Sequence, residues 1–200
     1  MNEENTMPPN SYAAVLGLGH DVVDVGGFAA QLDQPGSRMR RLFSARELRQ
    51  SAMRANAKHD DEAAHLAVRW AGKEAVLKAW CEALGERANP YTLDDFPWSE
   101  VEILDDSHSR PHVMLSAQCD AMLRESLCVL TSHEVKPARR ERSVTNASIS
   151  VDEKGSETFS EGSIVGDRVT AFDASLRWHI SLSHDGTIAS AVVILVCVGA

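Results

Sequence analysis

Apolar residues between Leu66 and Leu84 recur at helical spacing. At about 100° per residue, Leu66, Trp70, Leu77, Cys81 and Leu84 fall on one stripe, which predicts a helix laid against a core. Asp60, Asp61 and Glu62 put negative charge where the helix dipole favours it, and Gly85 stops the helix. Lys73 breaks the pattern by projecting from the middle of the stripe, with Glu74 and Lys78 four apart on its flank. Local rules are broken most often where a site is built. The plain alternative is a lysine stem snorkelling along apolar surface beside an ordinary i,i+4 ion pair.

The rest of the chain alternates between strand and helix patterns. Ala13 to Val25 is largely apolar and β-branched and closes on Gly26-Gly27, a strand ending in a turn. Phe28 to Leu32 suits a short helix before Pro35-Gly36. Ser44 and Glu47 have the spacing of a capping box, so a helix starts there and runs to about Ala55. Val101–Leu104 and His112–Leu115 read as two strands joined by a turn-rich segment, and Ala117 to Leu130 as a helix. Trp178 to Ser183 alternates, His184-Asp185-Gly186-Thr187 turns, and Ile188 to Val196 returns as a strand. These elements predict an α+β protein in which a small antiparallel sheet packs on a long central helix.

Composition narrows the class. Two hundred residues with 44% hydrophobic content suit one domain, placed at 13–200 after a disordered stretch over 1–12. From 131 to 175 the chain turns to Ser, Glu, Arg and Gly, which predicts a flexible insertion with little core. A formal charge of −9 argues against a general nucleic-acid binder. The four cysteines form no C-x-x-C pair, so neither a zinc knuckle nor a disulfide framework is indicated. The start lacks a basic leader and the apolar run 188–198 is too short to span a bilayer, so a cytoplasmic protein without membrane contact is expected.

Three features carry candidate chemistry besides the helix. Asp21 and Asp24 place charges in an apolar strand, where the ordinary reading is an edge or turn residue facing water. Gly17-x-Gly19 lacks the third glycine of a dinucleotide fingerprint. Arg38, Arg40 and Arg41 form the densest basic cluster of the N-terminal half, and His184 sits at a predicted hairpin tip.

Gly17-Leu18-Gly19-His20-Asp21, Phe43-Ser44-x-x-Glu47, Arg69-Trp70-Ala71-Gly72-Lys73-Glu74-Ala75-x-x-Lys78-Ala79, Arg110-Pro111 and Ile180-Ser181-Leu182-Ser183-His184 occur in this order. Together they resemble the phosphopantetheinyl transferases, in particular the small bacterial holo-acyl-carrier-protein synthase class. The resemblance spans Val15 to Leu130 and Trp178 to Val196. It implies the 4′-phosphopantetheinyl transferase fold. It also implies transfer of 4′-phosphopantetheine from coenzyme A to a serine of an apo acyl carrier protein or a carrier domain, releasing adenosine 3′,5′-bisphosphate. Relatives of this size form homotrimers with active sites shared between neighbours.

The same resemblance assigns residues. Asp21 and Glu74 would be catalytic carboxylates holding Mg²⁺, a hard cation that typically takes one or two carboxylates plus phosphates and water. Two carboxylates about 4 Å apart repel by roughly 4 kcal/mol at an effective dielectric near 20, so a cation between them relieves a real penalty. Lys73 and Lys78 would meet the diphosphate of coenzyme A, with Lys78 in the stronger phosphate role, and Ser183 and His184 the nucleotide portion. The base would be a metal-bound water or Glu74. The chain departs from the family pattern at His20, where an aliphatic residue is usual, at Gly27, where many relatives carry an arginine, and at Ser109, which replaces a glycine. Arg38, Arg40 and Arg41 would replace the lost contact to an acidic carrier. Two rival readings stand beside this one. His20-Asp21, His59-Asp60 and His184-Asp185 suggest a metal-dependent phosphohydrolase, and a non-catalytic coenzyme A or carrier-binding module would keep the site without turnover.

Overall fold

The computed structural model describes residues 13–127 and 175–199. The chain runs β1 (Ala13–Asp24), α1 (Val25–Leu32), a 3-10 turn (Met39–Leu42), α2 (Ala45–Lys58), α3 (Glu62–Leu84), a second 3-10 turn (Trp98–Glu100), β2 (Val101–Asp105), β3 (Pro111–Leu115), α4 (Ala117–Ser126), β4 (Ser175–Asp185) and β5 (Ile188–Val198). The disorder expected over 1–12 and the insertion expected over 131–175 lie outside the described residues, except Ser175, which opens β4.

β1, β5 and β4 form an antiparallel sheet in the order β1-β5-β4, and β2 and β3 form a two-stranded antiparallel sheet. Asp21 pairs with Ala191, which pairs in turn with Leu182, so the register aligns the carboxylate with the β4 segment that ends at His184. Along β1 the buried residues alternate as Gly17, Gly19 and Asp21, while Leu18, His20 and Val22 face outward. The buried face lies on α3. Ala71, Ala75 and Ala79 form a fully buried ridge there, and the glycines above it let strand and helix approach until their backbones nearly touch.

α3 differs from its predicted amphipathic form. Ala67, Ala71, Gly72, Val76 and Trp80 are buried as well as Leu66, Leu77 and Leu84, whereas Trp70 is half-buried and Cys81 is exposed. The reason is its central position: the three-stranded sheet covers one side, and Val101, Ile103, Phe96 and Leu123 cover the other. Covered on both sides, the helix keeps only a narrow open strip along Trp70, Glu74, Lys78, Cys81 and Glu82 in place of a full solvent face. Its ends are as predicted, with the Asp61 side chain capping Ala63 N at 2.8 Å and Gly85 at the C-terminus with φ 60°.

Two other local expectations change. Gly26 and Gly27 lie in the first turn of α1, not in a turn before a helix at Phe28, because the chain passes from β1 directly into the helix. Asp24 is its N-cap and accepts from Gly27 N at 2.6 Å. His184 is not in the hairpin turn. Only Gly186 and Thr187 separate β4 from β5, and His184 pairs with Ala189 on the side of β4 that meets α3.

α2 starts at the expected capping box, with Ser44 N donating to Glu47 Oε2 at 2.8 Å and Glu47 N to Ser44 Oγ at 3.2 Å. It runs on to Lys58 before His59 turns left-handed at φ 57°. Glu47 is fully buried and accepts from Ile103 N at 3.0 Å. Its partner is Lys73, equally buried, whose ammonium lies 2.9 Å from Glu47 Oε2 and donates to Trp98 O at 2.6 Å and to Val101 O. The pair ties α2, α3 and β2 together. Burial pushes the Lys73 pKa down and Glu47 pushes it back up. Removing one member strands the other charge in the core, so Lys73→Met is expected to lose about 3 kcal/mol in chemical denaturation. Loss of under about 1 kcal/mol would show that the pair contributes little.

Candidate active site

Asp21 leaves β1 on the face that meets α3. Its Oδ1 accepts from Lys78 Nζ at 2.6 Å, and Lys78 also donates to His20 O at 3.1 Å. Lys78 is half exposed, whereas the Asp21 carboxylate is nearly buried. Asp21 Oδ2 is buried and receives no donor from the protein. Glu74, one helical turn before Lys78, is half-buried beside it. Burial, then the hydrogen bond and charge of Asp21, raise the Glu74 pKa to about 7, against the pull of Lys78. A proton on Glu74 would satisfy the Asp21 oxygen and leave the two carboxyls with one negative charge between them, opposite Lys78.

That arrangement fits a divalent cation in place of the shared proton. Both oxygens are hard ligands, and an unpartnered buried carboxylate oxygen is the kind of group a cation satisfies. Among the described residues no cluster of three or more His, Cys, Asp or Glu side chains could hold a metal. Two carboxylates on a half-open site suit Mg²⁺, which keeps positions for substrate phosphates and water.

Lys73 does not join this group: its buried ammonium bonds Glu47, Trp98 O and Val101 O and lies 5.4 Å from the centre of the Phe43 ring. The expected contact between Lys73 and a diphosphate is therefore absent from the geometry, and the physical reason is the buried carboxylate of Glu47. Nor do the three His-Asp pairs converge. His20 faces outward and meets Ser190 Oγ at 3.1 Å, and His59 is exposed at the end of α2.

His184 borders a second concavity of about 350 Å³ at the hairpin end of the sheet. Arg54 and Lys58 enter it from α2, Arg69 from α3, and Ser109 and Ser183 also border it. Arg69 is buried and bonds Asp105 Oδ2 at 2.8 Å, and Arg54 Nε meets the same oxygen at 2.8 Å. One carboxylate thus holds two guanidiniums, and with Lys58 the cavity keeps an excess of positive charge. His184 stays mostly neutral because burial, then Lys58 and His65, lower its pKa. His184 and Asp21 are two strands and two residues apart on the same sheet face, roughly 12 Å at ordinary sheet spacings. Sequence reasoning missed Arg54 and Lys58. Their i,i+4 spacing on α2 was visible, but not the strand they face more than a hundred residues away.

A third feature is a groove of about 300 Å³ lined by Val22, Gly27, Phe28, Gln31, Met39 and Trp70. Next to it, Arg40 is tied to Glu62 by two bonds of 3.2 Å, while Arg38 and Arg41 are exposed.

Residues 17–150 match the family model of the 4′-phosphopantetheinyl transferase superfamily. The holo-[acyl-carrier-protein] synthase of Bifidobacterium animalis subsp. lactis is 47% identical over 184 residues, covering 90% of this chain and 97% of that protein. The protein of the same description from Bifidobacterium adolescentis is 46% identical over 188 residues, covering 90% and 99%. Among solved structures, the Chronobacterium ammoniagenes ACPS–CoA complex superposes with a TM-score of 0.60 at 26% identity, covering 90% of this chain and 95% of that one. Fold and sequence together define a group-transfer enzyme. The chain belongs to the 4′-phosphopantetheinyl transferase superfamily, whose α+β fold it shares.

Proposed function

We propose that this chain is a holo-acyl-carrier-protein synthase, moving 4′-phosphopantetheine from coenzyme A to a serine of an apo acyl carrier protein and releasing adenosine 3′,5′-bisphosphate. The observation that carries the reading is the apposition of Asp21 and Glu74 around an unsatisfied oxygen, beside the half-exposed Lys78. Mg²⁺ bound there would neutralise diphosphate charge, which is most of what phosphoryl transfer requires. Lys78 would add an ammonium where charge develops on the leaving group. The carrier serine oxygen bonds to the phosphorus that bears pantetheine, and the bond from that phosphorus to the oxygen of the leaving nucleotide breaks. Glu74, or a water beside it, would take the serine proton. The Arg54–Lys58–Arg69–His184 cavity would hold the nucleotide end, at a distance from Asp21 that a nucleoside diphosphate covers. Quantifying adenosine 3′,5′-bisphosphate against holo carrier tests the reaction: equal amounts are expected, and nucleotide release without carrier would favour hydrolysis.

Carrier proteins are acidic, and the exposed Arg38 and Arg41 flank in sequence the Met39 that lines the groove beside α1, although Asp24 lines it too. α1 itself carries no basic residue in its last turn, and Gly27 offers no charge. Arg38→Glu combined with Arg41→Glu is expected to raise KM for apo carrier about tenfold, with kcat nearly unchanged and the effect shrinking in salt. An unaltered KM would remove the arginines from carrier recognition.

The outer face of the three-stranded sheet exposes Val15, Leu18, Val22, Ile188 and Val192. Such an apolar patch supports assembly with further copies of the chain, for which a homotrimer is proposed. Light scattering should then give three times the 21.8 kDa of one chain. No helix among the described residues is long and apolar enough to cross a membrane, in keeping with the proposed cytoplasmic location beside the carrier.

A further inference from the structure

His65 is almost fully buried near the start of α3, and neither the family motifs nor the site described above gives it a role. Its Nε2 lies 2.8 Å from Asp60 Oδ1, in the turn between α2 and α3. Its backbone carbonyl accepts from Arg69 Nη1 at 3.1 Å. Its ring stands edge-on to that of His184, with centroids 5.4 Å apart and planes at 88°. The carboxylate fixes the His65 proton on Nε2 and so fixes the ring's orientation, as an outer carboxylate does for a ligand histidine. An immobilised ring packed at right angles then restricts the rotation of its neighbour.

We infer that Asp60 and His65 are positioning residues: His65, buried in the wall of the Arg54–Lys58–Arg69 cavity that it helps to line, holds the His184 imidazole there with its own ring fixed by Asp60, and the pair sets affinity for the nucleotide end of coenzyme A through His184. The inference rests on the reading of that cavity as the nucleotide site. Electrostatics point the same way. The charged and titratable groups facing His184 are Arg54 and Lys58 from α2, Asp60 from the turn, His65 and Arg69 from α3 and Asp105 from β2. Asp60 is engaged by His65, while burial, Lys58 and Arg54 oppose a charge on His184. The His184 pKa is therefore held below its ordinary value until an anion beside it favours protonation.

The test compares four single variants of the full chain in steady-state transfer. His65→Phe keeps a buried ring but loses the bond to Asp60. Asp60→Ala removes the exposed partner with little risk to folding, Asp60→Asn keeps an acceptor, and His184→Ala removes the ring being positioned. His65→Phe and Asp60→Ala are expected to raise KM for coenzyme A about fivefold while kcat falls by less than twofold, and Asp60→Asn to restore most of the loss. In NMR titrations the His184 midpoint should rise in His65→Phe, because Asp60 loses its partner and acts on His184 unopposed while the burial is kept. Should His184→Ala raise KM about tenfold while His65→Phe and Asp60→Ala leave both KM and the His184 titration unchanged, the positioning role is wrong and the cavity assignment stands. A wild-type KM in His184→Ala would overturn the cavity assignment, and the positioning role with it.

Discussion

Glu74→Gln leaves the protein folded and lowers transfer to an apo carrier by about a thousandfold or more, because the substitution keeps the shape of the side chain and removes a charge that the cation and diphosphate need. Asp21→Asn has the same effect from the strand side, with Lys78 losing its ion-pair partner as well. The pH dependence separates this account from mere damage. Glu74 titrates near 7 instead of its usual 4.5, since burial and Asp21 disfavour its charged form. A carboxyl whose folded pKa is raised contributes stability below its unfolded pKa and loses it as pH rises through the folded one. Without cation, the protein should therefore lose stability between about pH 4.5 and 7, as far as this group decides it. Mg²⁺, proposed to take the place of the shared proton, should raise Tm most above pH 7, and its apparent affinity should grow with pH up to that point. In Glu74→Gln both dependences should flatten. A wild-type Mg²⁺ response in that variant would show that the cation binds elsewhere.

Gly19→Ala prevents stable folding or costs more than about 4 kcal/mol, although it adds a single methyl group to a strand. The new Cβ would overlap Ala75 O and stand 2.7 Å from Ala79 N, both backbone atoms of α3, so no side chain can rotate away. Strand and helix would have to separate, which also draws Asp21 back from Glu74. Gly17 faces Ala79 O and Ala83 N in the same way. Gly72→Ala makes the contrast: its Cβ would meet only the Ile103 side chain, at 3.0 Å, which can shift. It should cost less than about 2 kcal/mol by thermal or urea denaturation. Equal losses for Gly19→Ala and Gly72→Ala would mean that the close approach of β1 to α3 is not what the glycines provide.

The elements set by local chemistry could be read in advance. The capping box at Ser44 and Glu47, the ends of α3 and the two antiparallel hairpins all depend on residues within a few positions of one another. What depended on distant partners was not legible. Lys73 looked like a cation offered to a ligand because its true partner, Glu47, lies on another helix. The stripe on α3 was drawn for a helix with one wide wet side, and the second layer formed by β2 and α4 narrowed that side to a strip through Glu74 and Lys78. Asp21 was visible only as a charge out of place. Its meaning came from the register that sets it over α3, next to Glu74 and Lys78, and from the oxygen that finds no donor there. Arg54, Lys58 and Asp105 were simply unassigned, since three separate elements meet to form their cavity.

The central claim is that Asp21, Glu74 and Lys78 form a Mg²⁺-dependent phosphopantetheine transfer site. The most direct measurement is the intact mass of a purified apo acyl carrier protein after incubation with this protein, coenzyme A and Mg²⁺. The carrier should gain the mass of one phosphopantetheine group on its serine, and the gain should disappear with chelator or with Glu74→Gln. An unmodified carrier under the complete conditions, or full modification by Glu74→Gln, would contradict the account.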